Sequence, residues 1–284
     1  MLSCLRTKHA LMCVLVAVVL TLPLAAPAVA AGGVDSEAQK LAYSLNLDKA
    51  VVVVLYKDQY GTGWFVNKDY LVTAGHVVGY AEGVKVYVVH GTYRTEGTVV
   101  HVDRTHDVAV VRVNEPWPDA KVLPIATDVS KGMQIMVIGY PFELYQLTGS
   151  IDEMSVNPRA SFGHVNWVDP SKNIFEIGAR TDAGNSGGPI IEMSKDAVVG
   201  LVSFALHGEV ATLYYGTSCT AIAKDLTAWN IPFHAVKVEQ AAPPELIAND
   251  VGQRNTTVVV AVAGAVVALL VGLVAGMAWG RGRK

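Results

Sequence analysis

From Lys49 to Thr220 the sequence is cut into short apolar runs separated by turn residues, and this pattern limits the fold more than any other feature. The runs are residues 50–56, 63–67, 70–73, 85–89, 96–103, 108–113, 134–139, 161–168, 174–178, 189–193, 197–203 and 214–220. They are rich in Val, Ile, Tyr and Phe, which suit a pleated, half-buried surface. Gly, Asn, Asp or Pro lies between many of them. Short strands at this spacing imply an all-β sandwich or barrel. Helical pattern is scarce, with one helix expected over 34–45 before the body and one over 221–230 after it. Residues 231–256 hold Pro232, Pro243 and Pro244 and few large apolar side chains, so they read as a linker.

The two ends of the 284-residue chain carry the apolar excess that raises its hydrophobic fraction to 51%. Arg6, Lys8 and His9 precede an apolar run over 10–24, and Ala28-Val29-Ala30 follows. A basic start, a short apolar stretch and an Ala-x-Ala site read as a signal peptide over 1–30. Residues 257–279 hold no charge and would span about 34 Å as a helix, enough for a bilayer core. Arg281, Arg283 and Lys284 follow in the 280–284 tail. Positive charge favours the cytoplasmic side, so the expectation is a single-pass membrane protein with the body extracytoplasmic and the C-terminus inside. Its partners would include membrane lipid, through that helix.

Formal net charge is −3 and no Lys/Arg cluster interrupts the body, which excludes an electrostatic nucleic-acid footprint. Cys219 is the lone body cysteine, so no internal disulfide can form there and stability must come from core burial. Histidines are scattered and no metal-ligand spacing is present. No metal or cofactor is expected.

Three runs carry chemistry. Leu71-Val72-Thr73-Ala74-Gly75-His76 leads a strand into a small-residue turn that ends on a histidine. Read alone, this is equally an unremarkable histidine at a strand end. His106-Asp107-Val108-Ala109-Val110-Val111 places an acid at the mouth of an apolar strand, where acids also serve as solvated turn caps. Asp182-Ala183-Gly184-Asn185-Ser186-Gly187-Gly188-Pro189 sets a serine in a glycine-rich turn. Glycines relieve backbone strain there. The turn can aim the N–H groups of Gly184 and Ser186 at one point, as an oxyanion hole requires. His101, His106, His164 and His207 are the rival bases, and none sits in a comparable turn.

In the order His76, Asp107, Ser186, these runs resemble the HtrA/Deg branch of the trypsin-like serine proteases. Gly61-Thr62-Gly63-Trp64-Phe65-Val66, Gly139-Tyr140-Pro141-Phe142 and Val199-Gly200-Leu201-Val202-Ser203 extend the likeness over roughly 49–230. The resemblance implies a chymotrypsin-like body of two packed six-stranded antiparallel β-barrels, with a short C-terminal helix and the site between the barrels. It implies a triad of His76 as base, Asp107 as its orienting acid and Ser186 as nucleophile. It also implies Arg180, Thr181 and Asp182 as the wall of the P1 pocket. Ser203, Phe204 and Ala205 would pair with extended substrate. Protein or peptide substrates follow.

Three departures from the family bear on specificity and regulation, one being Glu143 where a glycine often follows the Pro141-Phe142 turn. The segment before the serine turn is short, so a small or aliphatic P1 residue is only the family default, and Arg180 would instead suit an acidic one. Loops over 142–162 are expected to bear on whether the triad is preformed. No PDZ-like domain is expected after 230. The family often forms trimers through N-terminal segments, and residues 31–49 leave a homo-oligomer open. Two other functions remain open on sequence alone, a catalytically silent peptide-binding barrel and an esterase using the same three residues.

Overall fold

The computed structural model describes residues 31–209 and 211–238. The expected leader (1–30), residues 239–256 of the linker, the membrane segment (257–279) and the basic tail (280–284) lie outside the described residues. Among the described residues, no helix is long and apolar enough to cross a membrane.

Six strands close the first barrel: β1 (Val51–Tyr56), β2 (Gln59–Phe65), β3 (Tyr70–Ala74), β4 (Lys85–His90), β5 (Tyr93–Asp103) and β6 (Val108–Val113). Their order is β1-β2-β3-β6-β5-β4, and β1 pairs back on β4 with Val54 opposite Val88. The second half begins with β7 (Ile125–Ala126), β8 (Gln134–Gly139), β9 (Arg159–Asp169) and β10 (Ile174–Ile177). It continues with β11 (Pro189–Glu192), β12 (Ala197–His207), β13 (Thr212–Ser218) and β14 (Ala235–Val236). There β11-β8-β9-β10-β13-β12 run side by side, and β12 returns to β11 with Ile190 opposite Gly200, closing a second six-stranded antiparallel barrel. The two-residue strands β7 and β14 are added in parallel beyond it.

All four valines from Val51 to Val54 are buried, although an antiparallel strand with one wet face would alternate. One face of β1 fills its barrel, and the other lies against β8 and neighbouring short helices. Each such fully buried aliphatic contributes about 1.5–3 kcal/mol. No disulfide supplements this core, since Cys219 is free and buried. Burial pushes its thiol up to about 12, so the reactive thiolate is scarce. An alkylating reagent is therefore expected to label Cys219 only after denaturation, as read by peptide mass mapping. Fast labelling of the native chain would contradict the packing of its helix.

The expected helices form at Ala31–Ser44 and Cys219–Ala228, each beginning earlier and ending sooner than the sequence pattern suggested. The first packs on β9, where the Gln39 side chain donates to Pro158 O (2.8 Å) and accepts from Ala160 N (3.0 Å). Residues 142–162 were expected as loops. They instead hold the short helices Phe142–Thr148 and Ile151–Ser155, followed by the start of β9. The linker also begins later than expected: Ile231 and Val238 are buried, and β14 pairs with β7, so residues 231–238 dock on the body.

Candidate active site

His76 follows Gly75 at the end of β3, where the strand turns into the single 3₁₀ turn His76–Val78. Asp107 sits in the tight connection between β5 and β6. It holds φ +57°, a left-handed conformation that few non-glycine residues adopt and Asp tolerates better than most. Four hydrogen bonds fix it there. Gly75 N–H donates to Asp107 O (3.0 Å) and His76 N–H to Oδ1 (2.9 Å). His76 Nδ1 lies 2.9 Å from Oδ2, and Ser203 Oγ donates to that same oxygen at 2.6 Å. A carboxylate at Nδ1 requires the proton there, which leaves Nε2 as the free acceptor. Asp107 is 14% exposed and His76 38%, so the acid is enclosed while the imidazole keeps an accessible edge.

The serine turn between β10 and β11 is fastened from both barrels: in the second, Gly187 N–H donates to Val202 O (2.7 Å) and Val202 N–H to Gly188 O (2.9 Å), and in the first Thr62 takes hold of it. Thr62 N–H donates to Ser186 O (2.8 Å) and Thr62 Oγ1 to Gly184 O (2.8 Å), while Tyr140 N–H donates to Thr62 Oγ1 (3.1 Å). Gly184 has φ +92° and Gly187 φ +82°. A Cβ on Gly187 would stand 2.4 Å from Thr62 O and 2.6 Å from Ala74 N, so only glycine lets the turn lie this close to β3. A Cβ on Gly61 would meet both the Val77 side chain and Ser186 O, at 2.5 and 2.8 Å. Ser186 and the residue after His76 thus flank one point. His76 and Asp107 are joined directly, and the backbone of Ser186 is held against β2 of the same barrel. Among the described residues, no hydrogen bond joins Ser186 to His76, and none is donated by the N–H groups of Gly184 or Ser186. Those two donors stay available to a ligand.

The residues expected to meet substrate divide into two sets. Ser203, Phe204 and Ala205 lie on β12 past Leu201, where pairing with β11 stops; Phe204 and Ala205 pair on the other edge with β13, and Ser203 sits in a bulge between Val202 and Phe204. Phe204 stacks on Tyr215 at 5.0 Å. Arg180 and Asp182 line a cavity of about 690 Å³ shared with Tyr43, Glu143, Arg159 and Asn185, the residue before Ser186. The Arg180 guanidinium lies 3.6 Å from Asp182 and 3.9 Å from Glu143. Burial and the Glu143 charge push the Asp182 carboxyl up. An arginine already facing two carboxylates is a poor receptor for an acidic P1 side chain. Thr181 is buried, with its hydroxyl turned onto Ala179 O.

Of the rival histidines, His101 stacks on Trp229 at 5.0 Å and His207 bonds Thr212 at 3.1 Å. The sequence shows no metal-ligand spacing, yet the fold gathers Asp103, His106 and Asp225 within 4.8 Å of one another. Burial, and then the Asp103 charge, push the Asp225 carboxyl up to about 6. Sequence reasoning also missed Thr62 as the fastener of the serine turn and Ser203 as a direct partner of Asp107. Ser203 lies 96 residues from Asp107, beyond the reach of any local pattern.

A family model described as a trypsin-like peptidase domain matches residues 61–201. Serine protease Rv3671c of Mycobacterium tuberculosis is 32% identical over 155 residues, covering 54% of this chain and 38% of the relative. Mitochondrial serine protease HTRA2 of Bos taurus is 33% identical over 147 residues, covering 49% of this chain and 30% of the relative. The chain thus spans well under half the length of these relatives. The crystal structure of Rv3671c protease from M. tuberculosis in its active form superposes with TM-score 0.54 at 24% identity, covering 72% of this chain and 89% of that one, a likeness of fold.

Proposed function

Since residues 61–201 belong to the trypsin-like peptidase domain family and the relatives are HtrA/Deg-type serine proteases, we propose that this chain is a serine endopeptidase working through Ser186, His76 and Asp107. The observation that carries the reading is the Asp107 carboxylate. It is enclosed, and it receives His76 from the first barrel and Ser203 from the second.

In this reading His76 Nε2 takes the Ser186 proton as Oγ bonds to the peptide carbonyl carbon. The carbonyl electrons move onto oxygen, which the free N–H groups of Gly184 and Ser186 receive. Imidazolium then gives the proton to the leaving amine as the C–N bond breaks, leaving an acyl-enzyme. Water, deprotonated by the same imidazole, releases the acid and restores the serine. Asp107 holds the tautomer and steadies the imidazolium. The β12 edge at 203–205 takes the substrate as an added strand, which favours extended peptides over simple esters and gives a silent binder no reason for the triad. The P1 preference in this reading is small or aliphatic.

The sequence of the two ends supports a membrane-tethered enzyme with its body outside and its tail inside. Its substrates would be extracytoplasmic proteins. A fluorophosphonate probe tests the chemistry: covalent labelling mapped to Ser186 is expected. No labelling of the wild-type chain in any condition that supports folding overturns the reading. A tag after Lys284 that is accessible from outside intact cells overturns the topology.

A further inference from the structure

We propose that Asp103, His106 and Asp225 form a binding site for one divalent transition-metal ion, zinc foremost, that fastens the turn between β5 and β6 to the helix Cys219–Ala228. None of the three belongs to the proposed triad, although His106 directly precedes Asp107. The three come from two distant parts of the chain, and their ligand atoms all fall within 4.8 Å of one another.

The distances suit a small tetrahedral ion. His106 Nδ1 is 2.8 Å from Asp103 Oδ2 and 3.6 Å from Asp225 Oδ2. Ligands at zinc distances of about 2.0–2.1 Å stand roughly 3.3–3.4 Å apart in a tetrahedron. One pair therefore opens by about half an ångström and the other closes by less. The Nδ1 proton leaves as the metal enters, and water completes the shell.

A second observation points to a ligand. Asp225 is only 7% exposed, and its Oδ2 has no hydrogen-bond partner while lying against the imidazole. A buried carboxylate oxygen without a donor is costly unless a cation meets it. Among the described residues no Lys or Arg forms an ion pair with Asp103 or Asp225. With both carboxylates ionised, even a charged imidazole leaves one negative charge over, whereas a divalent ion on neutral imidazole and two carboxylates balances it. The imidazole ligand selects zinc and its neighbours over calcium or magnesium.

The outer partner is also in place. His106 Nε2 lies 3.3 Å from the Asn173 amide, and a metal on Nδ1 makes Nε2–H a donor to which Asn173 can present its Oδ1. His106 O accepts from Thr217 Oγ1, so the histidine is held through ring and backbone alike. The site would pin the residue that immediately precedes Asp107, and it does not depend on what Asp107 does.

The test uses untagged full-length chain, stripped with EDTA and titrated with Zn²⁺ against a chromophoric chelator. One zinc per chain and a rise in melting temperature are expected. Cobalt should give d–d absorption without a thiolate band. His106→Ala and Asp225→Asn should each weaken uptake at least 100-fold, while His76→Ala, as a control for binding at the proposed triad, should retain it. Asp225→Asn removes a charge with no donor, so its melt in EDTA is expected to match wild type, which separates lost binding from lost folding. No uptake by wild type, or uptake that survives both cluster variants, or loss confined to His76→Ala, overturns the proposal.

Discussion

Ser186→Ala is expected to lower kcat for peptide hydrolysis by about 10⁵- to 10⁶-fold, leaving a melting curve that matches wild type. The size follows from the loss of the covalent route, since the remaining oxyanion donors and binding edge sustain only a small residual rate. The intact fold follows from the bonding of the turn. Thr62 holds the Ser186 carbonyl and the Gly184 carbonyl, and no hydrogen bond within the described residues uses the Ser186 hydroxyl. Residual peptidase activity above a per cent in purified mutant, with no fluorophosphonate label to trace it to contamination, would remove Ser186 as nucleophile.

Asp107→Asn should cut kcat by about 10⁴-fold with little change in stability. Its Oδ1 can still accept from His76 N–H, but the second amide atom becomes an NH₂ facing His76 Nδ1 and Ser203 Oγ. The imidazole must then accept at Nδ1 and carry its proton on Nε2, where the serine needs a base. Asn tolerates φ near +57° at least as well as Asp, so the turn keeps its shape. This variant separates charge from geometry: a large drop in kcat at unchanged melting temperature supports the orienting role. A drop matched by unfolding would make Asp107 a structural residue only.

The barrel strands were legible because each carries several β-branched or aromatic residues between turn residues. Every one of the twelve expected runs lies on or overlaps a strand of one barrel or the other. What escaped was short or distant. The helices Phe142–Thr148 and Ile151–Ser155 have seven and five residues, too few to show a 3.6-residue period. β7 and β14 have two residues each and exist only because they find each other beside β12. Ile231 and Val238 looked like isolated apolar residues in a proline-bearing stretch until the fold supplied a surface for them. At the site, the three motif runs could be read from glycine placement and residue type. Thr62 is 122 residues from Gly184, and neither Thr62 nor Ser203 carries a local mark of its partner. Arg180 and Asp182 were implied at the P1 wall by the resemblance alone, and their contacts with each other and with Glu143 depend on a helix too short to show in the sequence.

Thr62 does more than secure one turn. It belongs to β2, next to the strand that ends at His76, and Thr73 of that strand donates to its carbonyl at 2.8 Å. The nucleophile comes from one barrel, yet its carbonyl is moored to the other, to the strand pair that also carries the base. The serine turn is thus tied to both barrels at once, through Thr62 to the first and through Gly187 N–H on Val202 O (2.7 Å) to the second. Alignment of the reacting atoms is therefore a property of the seam between the barrels, and a change in how they dock reaches the chemistry directly.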